Sequence, residues 1–263
     1  MRRLRRLIQK RSLRWSEGVC VLEGPDLIDA ALESDVEFEA IFVDADASES
    51  AKVATLIGHA ARRGVRVFTL QHSVLESVAD VKTPQPVVAS VRFRVAGVQD
   101  IVKPGLVLIL HDVRDPGNVG TIIRSADAAG VSGVVLTGNS VDPFNPKTLR
   151  ATAGSVFHLP VVVASLEMTL SHFAIAGVRI YGTVVRGGTP HRSVDLSRPC
   201  AVVIGNEADG LDAAVIAQCD EVISITMDGR NESLNAGVAA SLIAFESLWQ
   251  RQGMGYDTPA PSL

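Results

Sequence analysis

The sequence predicts an α/β protein whose second half is a parallel β-sheet covered by helices and whose first part is a smaller α/β domain. Three observations lead to this prediction. Short apolar runs alternate with amphipathic stretches along the chain, which is typical of βαβ units. No apolar run reaches the length of about 18 residues that a membrane-spanning helix needs, so we expect no membrane partner. The composition, 47% hydrophobic and 21% charged over 263 residues, is ordinary for a globular protein of one or two domains.

The first domain is predicted over residues 1–96. A short basic helix is expected over 2–14. The strands that follow are predicted over 19–23, 40–43, 65–70 and 87–93, and the helices over 25–34, 48–63 and 73–79. Two prolines predict a turn over 83–86, and a linker is expected over 96–103.

The second domain is predicted over residues 104–251, where strands and helices alternate more regularly. The strands are expected over 106–111, 133–137, 160–163, 179–184, 201–204 and 221–225. The helices are expected over 119–129, 146–153, 165–175, 212–217 and 234–250. Residues 252–263, rich in glycine and proline, predict a flexible tail.

Charge is distributed unevenly. Seven basic residues precede the first acidic residue, Glu17, and subtracting their charge from the net charge of −4 leaves −11 for the rest of the chain. These residues are Arg2, Arg3, Arg5, Arg6, Lys10, Arg11 and Arg14. A basic arm on an acidic body favours contact with a nucleic acid at one end of the protein. A solvated helix face and a mitochondrial targeting segment are the alternatives.

The cysteines predict neither disulfides nor a metal site. Cys20, Cys200 and Cys219 are odd in number and widely spaced, without a C-x-x-C pair. Reduced thiols of this kind are typical of a cytoplasmic protein. His111 beside Asp112 is the one candidate metal pair, and it has no third partner nearby in sequence. We therefore expect no metal.

Three strands of the second domain each run into a loop rich in glycine and amide side chains. The first such loop spans 115–120, the second spans 205–210, and the third spans 226–237. Ligands of open α/β sheets bind at the carboxyl ends of the strands, where polar loops offer free main-chain groups. Three loops of this kind predict one composite small-molecule site.

The residues in these loops carry a family resemblance. The segments NVGTIIRSADAAG, VVIGNEADGL and ISITMDGRNESLNAGVAASL resemble the three motifs of the SpoU/TrmH family of RNA ribose 2′-O-methyltransferases, in the same order and at similar spacing. The resemblance covers residues 105–250. Residues 10–95 more loosely resemble the small RNA-binding domain of the rRNA-modifying members, so the whole chain is similar to the thiostrepton-resistance type of 23S rRNA methyltransferase.

The resemblance implies more than the alternation of strands and helices can. It implies a SPOUT domain with a deep trefoil knot, preceded by a domain like ribosomal protein L30e that binds RNA. It also implies S-adenosylmethionine as cofactor and a homodimer in which the second subunit can complete the site. The expected substrate is RNA, with rRNA favoured over tRNA, and a non-catalytic ribosome-binding protein is the other alternative.

The resemblance assigns five catalytic positions, Asn118, Arg124, Glu207, Ser233 and Asn235. Because arginine is effectively never deprotonated in proteins, we expect Arg124 to stabilise charge rather than to act as a base. The structural alternatives are a surface arginine for Arg124, a loop charge for Glu207, and helix caps for Asn118, Ser233 and Asn235.

Cofactor and RNA contacts are predicted at further positions. The cofactor residues are expected to be Thr137, Gly138, Ile204, Gly205, Asn206, Ile225, Met227, Ser233, Leu234 and Asn235, with apolar walls around adenine and main-chain groups reading its edge. The alternative is that they are ordinary strand ends. For RNA we expect the seven basic residues of the arm, and the resemblance implies a further substrate contact at Arg150.

A nicotinamide- or flavin-dependent enzyme is the rival class. Its fingerprint is G-x-G-x-x-G after a strand, with an acidic residue about 20 positions on. Gly117-Asn118-Val119-Gly120 has a different spacing, and the following strand ends at Thr137-Gly138 without an acid. The sequence therefore disfavours a dinucleotide site.

Overall fold

The computed structural model describes residues 1–48, 50–78, 85–94, 96–101, 105–230 and 233–253. Contacts divide the chain into two compact units, the first formed by Met1–Val95 with Asp142–His158 and the second by Ala96–Val141 with Leu159–Leu263. Residues 142–158 thus belong to the first unit, although they lie within the sequence range 104–251. Parts of the predicted turn (83–84), linker (102–103) and tail (254–263), together with Asn231 of the third loop, lie outside the described residues.

The elements up to residue 92 belong to the first unit. They are α1 (Arg2–Gln9), α2 (Arg11–Glu17), β1 (Val19–Glu23), α3 (Pro25–Leu32), β2 (Glu37–Asp44), α4 (Ala51–Arg62), β3 (Val67–Leu70), α5 (His72–Glu76) and β4 (Val87–Arg92). Its sheet has the order β1-β4-β2-β3, in which β4 runs antiparallel to both neighbours and β2 is parallel to β3.

The remaining elements follow from residue 106. They are β5 (Leu106–His111), α6 (Pro116–Ala128), β6 (Gly133–Thr137), α7 (Pro146–Thr152), β7 (Val161–Val163), α8 (Leu166–Ile175), β8 (Arg179–Thr183), β9 (Thr189–Pro190), β10 (Cys200–Ile204), α9 (Ala213–Ile216), β11 (Glu221–Ser224) and α10 (Ala236–Arg251). All of these belong to the second unit except α7, which packs against β1 in the first.

The predicted basic helix over 2–14 is two helices separated at Lys10, which is extended with φ −114°. Leu4, Leu7 and Ile8 of α1 are buried in a core cluster of the first unit. The arginines between these positions remain on the exposed side of the helix, so α1 is amphipathic rather than a free arm.

Arg14 differs from the other basic residues of the arm because its side chain is buried, with 2% exposure. Its Nη2 and Nε donate to Oδ2 of Asp142 over 2.6 and 2.9 Å. Its Nη1 donates to the carbonyl oxygens of Leu7 and Ile8 over 2.7 and 2.9 Å. A buried guanidinium needs this full set of partners, and it is not accessible to a phosphate. We therefore remove Arg14 from the residues expected to bind RNA.

The sheet of the second unit has seven parallel strands in the order β7-β6-β5-β10-β8-β11-β9. The central strands β5, β6 and β10 are buried along most of their length, as expected for a parallel sheet covered on both faces. The later strand β10 lies between β5 and β8. This order brings the carboxyl ends of β5, β10, β8 and β11 side by side along one edge.

The helices α6 and α10 begin at caps that fix two of the predicted catalytic residues. Oδ1 of Asp115 accepts the main-chain N–H of Asn118 over 2.8 Å, so Asp115 caps α6 and the cap alternative for Asn118 is wrong. The helix consequently starts at Pro116, three residues before its predicted start. Asn235 caps α10, because its Oδ1 accepts the N–H groups of Gly237 and Val238.

Helix α10 packs closely against α6. A hydrogen bond of 2.7 Å joins Ser241 Oγ to Ser125 Oγ, and a Cβ at Gly237 would lie 3.3 Å from the side chain of Thr121. Small residues at this crossing hold the N-terminal ends of the two helices near the carboxyl edge of the sheet. Among the described residues, no helix is long and apolar enough to cross a membrane.

Candidate functional site

A cavity of about 300 Å³ lies at the carboxyl edge of the second unit's sheet. Its walls come from the segments that follow β8, β10 and β11 and from the start of α10. Of the predicted cofactor residues, those that line it are Ile204, Gly205, Asn206, Ile225, Met227, Ser233 and Leu234. Thr183, Val184 and Val185 also line it, and the sequence did not predict them. In the sequence these residues lie only at and just beyond the end of the strand predicted over 179–184. The sequence does not show that this strand lies beside β10, which is what brings its end to the cavity.

The loop after β10 requires glycine at its first position. A Cβ at Gly205 would lie 2.4 Å from the carbonyl carbon of Gly210, closer than any packing allows. The loop is closed by two main-chain hydrogen bonds between Asn206 and Gly210, of 3.2 and 3.0 Å. The Asn206 side chain accepts the N–H of Ala208 and donates to the carbonyl oxygen of Asp112, 3.1 Å away. Asn206 therefore shapes this loop and fastens it to the one that follows β5.

Three of the predicted catalytic residues form one hydrogen-bonded chain. Nδ2 of Asn118 donates to Oε1 of Glu207 over 2.8 Å, and Nδ2 of Asn235 donates to Oδ1 of Asn118 over 2.8 Å. The Asn235 Oδ1 is already used by the N-terminal N–H groups of α10. An ionised carboxylate only accepts and a main-chain N–H only donates, so the two ends of the chain determine the orientation of both amides.

These hydrogen bonds between Glu207, Asn118 and Asn235 join the segments 115–120, 205–210 and 226–237 next to the cavity. Asn118 is buried, with 9% exposure, whereas Glu207 and Asn235 are exposed. Asparagine has no titrating proton, so these amides can orient a substrate but cannot remove its proton. The second carboxylate oxygen of Glu207 remains as an acceptor for a hydroxyl group at the edge of the cavity.

The other two predicted catalytic residues lie outside this chain. Ser233 is exposed and lines the cavity. Arg124 is exposed on α6 and does not line the cavity, and its guanidinium has no ion pair among the described residues. The structure therefore places Asn118, Glu207 and Asn235 together and leaves Arg124 on an open surface of the helix.

Of the residues predicted to bind cofactor, Asn235 does not line the cavity, and neither do Thr137 and Gly138. Thr137 and Gly138 end β6, which is separated from β10 by β5. Thr137 is buried, and its Oγ1 lies 2.9 Å from Nδ1 of His111 and 3.3 Å from the carbonyl oxygen of Leu110. Gly138 has φ +63°, a conformation that favours glycine. Their contacts shape the end of the strand.

The predicted RNA-binding residues all belong to the first unit. Arg150 lies on α7 and its guanidinium pairs with the buried carboxylate of Glu23. Arg3 pairs with Glu17 and Glu39, each over 2.7 Å. The hydrogen bond from Arg3 to Glu39 holds the pKa of Glu39 below its usual range. Of the predicted RNA-binding residues, those that are exposed and form no ion pair with a described residue are Arg2, Arg5, Arg6, Lys10 and Arg11.

The thiols are not poised for chemistry. Burial raises the pKa of Cys20 and of Cys200 to about 12, and that of Cys219 to about 11, so all three remain protonated at neutral pH. Among the described residues, Asp44, Asp46 and His72 of the first unit offer three possible metal-ligand atoms within 4.8 Å of one another. Asp44 already accepts from His72 over 2.6 Å and from the N–H of Asp46 over 3.0 Å, so internal hydrogen bonds explain this group.

Comparisons with known proteins fit this arrangement. The model of the SpoU rRNA Methylase family matches residues 105–245, and that of the MRM3-like substrate binding domain matches residues 1–89. The 23S rRNA (guanosine(2553)-2′-O)-methyltransferase RlmP of Bacillus subtilis is 35% identical over 225 residues, which are 86% of either chain.

Solved structures agree along nearly the whole chain. The SpoU methyltransferase AviRb of Streptomyces viridochromogenes, in complex with AdoMet, has a TM-score of 0.85 at 28% identity and covers 96% of this chain and 98% of its own. An AdoMet-bound rRNA methyltransferase of Sinorhizobium meliloti has a TM-score of 0.82 at 31% identity, with 94% and 92% covered.

Proposed function

The chain belongs to the SpoU rRNA methylase family, and from this premise we propose how its site methylates RNA. The protein is an S-adenosylmethionine-dependent ribose 2′-O-methyltransferase, and ribosomal RNA is its substrate class. Within that class we propose 23S rRNA, because the B. subtilis relative acts on 23S rRNA. A tRNA substrate, or ribosome binding without catalysis, is the alternative that the experiment below separates.

The cavity fits S-adenosylmethionine by size and by chemistry. Its apolar walls, among them Ile204, Ile225 and Leu234, suit the face of adenine. The carboxylates of Glu207 and Asp209 also line it, and they complement the positive charges of the sulfonium and the ammonium groups. Glycine at position 205 lets the loop after β10 close on itself beside the cavity.

The chain Glu207–Asn118–Asn235 is the observation that carries the mechanism. S-adenosylmethionine, when bound, supplies the methyl group on an already activated sulfonium leaving group. The protein must therefore hold the ribose hydroxyl in line with it, which is chiefly a matter of orientation. We assign this task to the amides of Asn118 and Asn235, whose orientation is fixed before substrate arrives. Glu207 keeps Asn118 in place and offers its free oxygen to a hydroxyl.

Arg124 has the chemistry to stabilise the oxygen as its proton leaves. A planar guanidinium can hold a phosphate and lower the free energy of a nearby developing negative charge. Its exposure on α6, without an ion pair among the described residues, keeps it available for this task. Because it does not line the cavity of its own chain, we propose that it acts at the site of a partner subunit.

A homodimer is supported by the exposed side of α10. Leu234, Val238 and Leu242 are 36%, 46% and 38% exposed and lie four residues apart, so they form one apolar stripe at and beyond the start of the helix. The adjacent α6 carries Arg124 on its exposed side. Leu242→Glu should shift the protein from dimer to monomer in light scattering. A dimer that survives this change would place the interface elsewhere.

Mixed dimers test whether the partner completes the site. Arg124→Ala and Asn118→Ala chains should each have strongly reduced activity alone. If Arg124 serves the partner's Asn118, the mixed dimer contains one intact site and methylation returns to a sizeable fraction of wild type. If both residues serve one chain, mixing restores nothing.

The remaining expectations concern fold and location. We propose the trefoil knot for residues 104–251, supported by the interleaved order of β10 between β5 and β8 and by the packing of α10 on α6. We propose the L30e-like RNA-binding role for the first unit over 1–96, supported by its exposed basic residues. The three free, protonated thiols support a cytoplasmic location.

Two measurements test the function. Titration with S-adenosylmethionine should show one site per chain and a rise in melting temperature. Mass-spectrometric mapping of ribose methylation in 23S rRNA and tRNA, from cells with and without the protein, should show one 23S position that depends on it. Methylation that changes only in tRNA would establish the alternative substrate. Cofactor binding without any dependent methylation would support the non-catalytic protein, and absence of both would overturn the proposal.

A further inference from the structure

A groove of about 810 Å³ on the first unit is lined by aromatic and arginine side chains that are not part of the methyl-transfer site. It lies between the first turn of α1 and the face of the sheet, and we call it the α1 groove. Its lining includes Leu4 of α1, Phe42 of β2, Arg92 of β4 and, around the start of β3, Arg63 and Arg66. We propose that this groove binds an unpaired nucleotide of the RNA substrate, an inference that rests on the RNA methyltransferase function proposed above.

An aromatic pair with one exposed ring supplies the surface for a base. The rings of Phe42 and Phe68 are stacked, with centroids 5.7 Å apart and planes inclined by 19°. Phe68 is 45% exposed on β3, the edge strand of the sheet, and does not itself line the groove. Its half-buried stacking partner Phe42 lines the groove. Phe68 thus presents part of its ring to solvent. Unpaired RNA bases stack on such faces in many RNA-binding modules.

Two arginines supply positive charge that no acid among the described residues neutralises. Arg66 immediately precedes β3 and lies two residues before Phe68 in the sequence. Its guanidinium reaches only the carbonyl oxygen of Glu39 among the described residues, at 3.4 Å. Arg63 donates to the main-chain oxygens of Ser34 and, over 2.7 Å, of Leu32. Neither forms an ion pair with a described acidic residue.

The charges of the other two arginines of the groove are neutralised by carboxylates. The phosphate is therefore expected to bind elsewhere in the groove. Arg92 lies 3.4 Å from carboxylate oxygens of Glu37 and Glu39, and Arg3 pairs with Glu39 and Glu17. The surplus charge therefore lies on the side of Arg63 and Arg66, next to the exposed ring of Phe68. Base stacking on the ring and phosphate pairing with the arginines fit one nucleotide at this place.

The same features favour RNA over a protein segment as occupant. Leu4, Phe38 and Val65 add apolar lining to the ring pair. The arginines of the groove nevertheless make it basic, and α1 adds the exposed Arg2, Arg5 and Arg6. A polyanion complements this charge, whereas an apolar peptide does not. The nucleotide must be unpaired, because bases within a duplex hide their faces from side chains.

The experiment compares full-length variants in binding to a labelled single-stranded adenosine oligonucleotide and to an RNA duplex of the same length. Phe68→Leu keeps an apolar side chain but removes the ring, and we expect about tenfold weaker binding of the single strand with duplex binding unchanged. Phe68→Tyr restores a ring and should bind as wild type does. Arg66→Gln should weaken the single strand, whereas Arg62→Gln, on exposed α4 outside the groove, should not.

Each outcome decides the proposal. Wild-type affinity of Phe68→Leu for the single strand would overturn it and would leave a protein partner as the occupant of the groove. Equal losses for single strand and duplex would also overturn it, because they would indicate a general electrostatic or folding defect. Cofactor binding and rRNA methylation by the wild type are measured in parallel. If they hold while the groove variants bind normally, only the groove proposal fails, and if they are absent the proposed function fails.

Discussion

Gly138 lies directly against the side chain of Asp112: a Cβ at position 138 would be 2.2 Å from Oδ1 of Asp112, so one of the two residues would have to shift. Both residues have positive φ, +63° for Gly138 and +57° for Asp112, which is uncommon for a residue other than glycine. Oδ1 of Asp112 accepts the N–H of Asn139 over 2.6 Å, and its carbonyl oxygen accepts from Asn206 over 3.1 Å. Asp112 thus connects the ends of β5 and β6 to the loop that holds Glu207.

Gly138→Ala should therefore disturb the site as well as the fold. Positive φ alone costs alanine about 1–2 kcal/mol. The collision with Asp112 adds to this cost and displaces the loop that leads into α6. We expect a lower free energy of unfolding and a loss of methylation that persists at temperatures where the protein remains folded.

Gly177→Ala is the matched control for this substitution. Gly177 has φ +68°, close to that of Gly138, but a Cβ at this position would meet no neighbouring atom within 4 Å. The variant should lose only the conformational cost and retain full activity. Equal effects of the two substitutions on methylation would show that the contact with Asp112 has no role in the site.

The second prediction concerns the hydrogen bond between Asn118 and Glu207. Asn118→Ala removes the central amide of the chain and should lower the methylation rate on the order of 10²–10³-fold. Glu207→Ala should cost less, because Asn118 keeps its bond from Asn235. In a double-mutant cycle the two residues should be coupled, by about 0.5–3 kcal/mol in activation free energy. Additive effects would mean that the two side chains act independently.

The third prediction concerns Arg124, the predicted catalytic residue that lies apart from this chain. Arg124→Ala should reduce turnover while leaving affinity for S-adenosylmethionine nearly unchanged, because the residue does not line the cofactor cavity. Arg124→Lys should recover little, since lysine lacks the planar fork of donors. Rapid-quench kinetics and calorimetry measure the two quantities separately. Near-normal turnover of Arg124→Ala would assign charge stabilisation to another group.

The strands of the second unit were the most predictable part of the fold. The predicted bounds of Leu106–His111 and Gly133–Thr137 agree with the structure, because continuous apolar runs are typical of strands buried on both faces. Helix starts were less predictable, since they depend on which of several polar residues acts as the cap. At α6 the cap is Asp115 and not Asn118. The two-residue strand Thr189–Pro190 is too short to leave a periodic signal.

Contacts between distant segments could not be predicted from a local pattern. Arg14 has the sequence context of a basic arm, and its partner Asp142 lies 128 residues away in the sequence. The sequence predicted that Glu207, Asn118 and Asn235 share one site, since each of them lies beyond the end of a strand. It did not predict which residue donates a hydrogen bond to which. Thr183 was missed because only the insertion of β10 beside β8 brings the end of that strand to the cavity.

The fourth prediction concerns the exposed side of α1. Deleting residues 2–11 would also remove Leu4, Leu7 and Ile8 from the core, so charge substitutions are the better test. Replacing Arg2, Arg5 and Arg6 by Gln should weaken binding to a structured rRNA fragment. If all three contact phosphate, the slope of log K against log salt should become shallower by about 2. The control replaces the exposed Arg62, Arg179 and Arg198, and an unchanged slope in the α1 variant would exclude this surface.

The fifth prediction concerns pH and His191. Burial lowers the pKa of His191, although the nearby carboxylate of Glu246 opposes this, and Nδ1 has no hydrogen-bond partner among the described residues. The unfolded chain, with an ordinary pKa of about 6.5, then binds a proton more readily than the folded one. The stability that His191 contributes is fully present above a pH of about 6.5 and is lost as the pH falls below it.

His191→Gln, which keeps a donor but does not titrate, should unfold in urea with a weaker dependence on pH between about 5 and 7. His172→Gln on α8 controls for the loss of a histidine as such. Parallel curves for His191→Gln and the wild type would show that proton binding at His191 does not distinguish the folded from the unfolded chain.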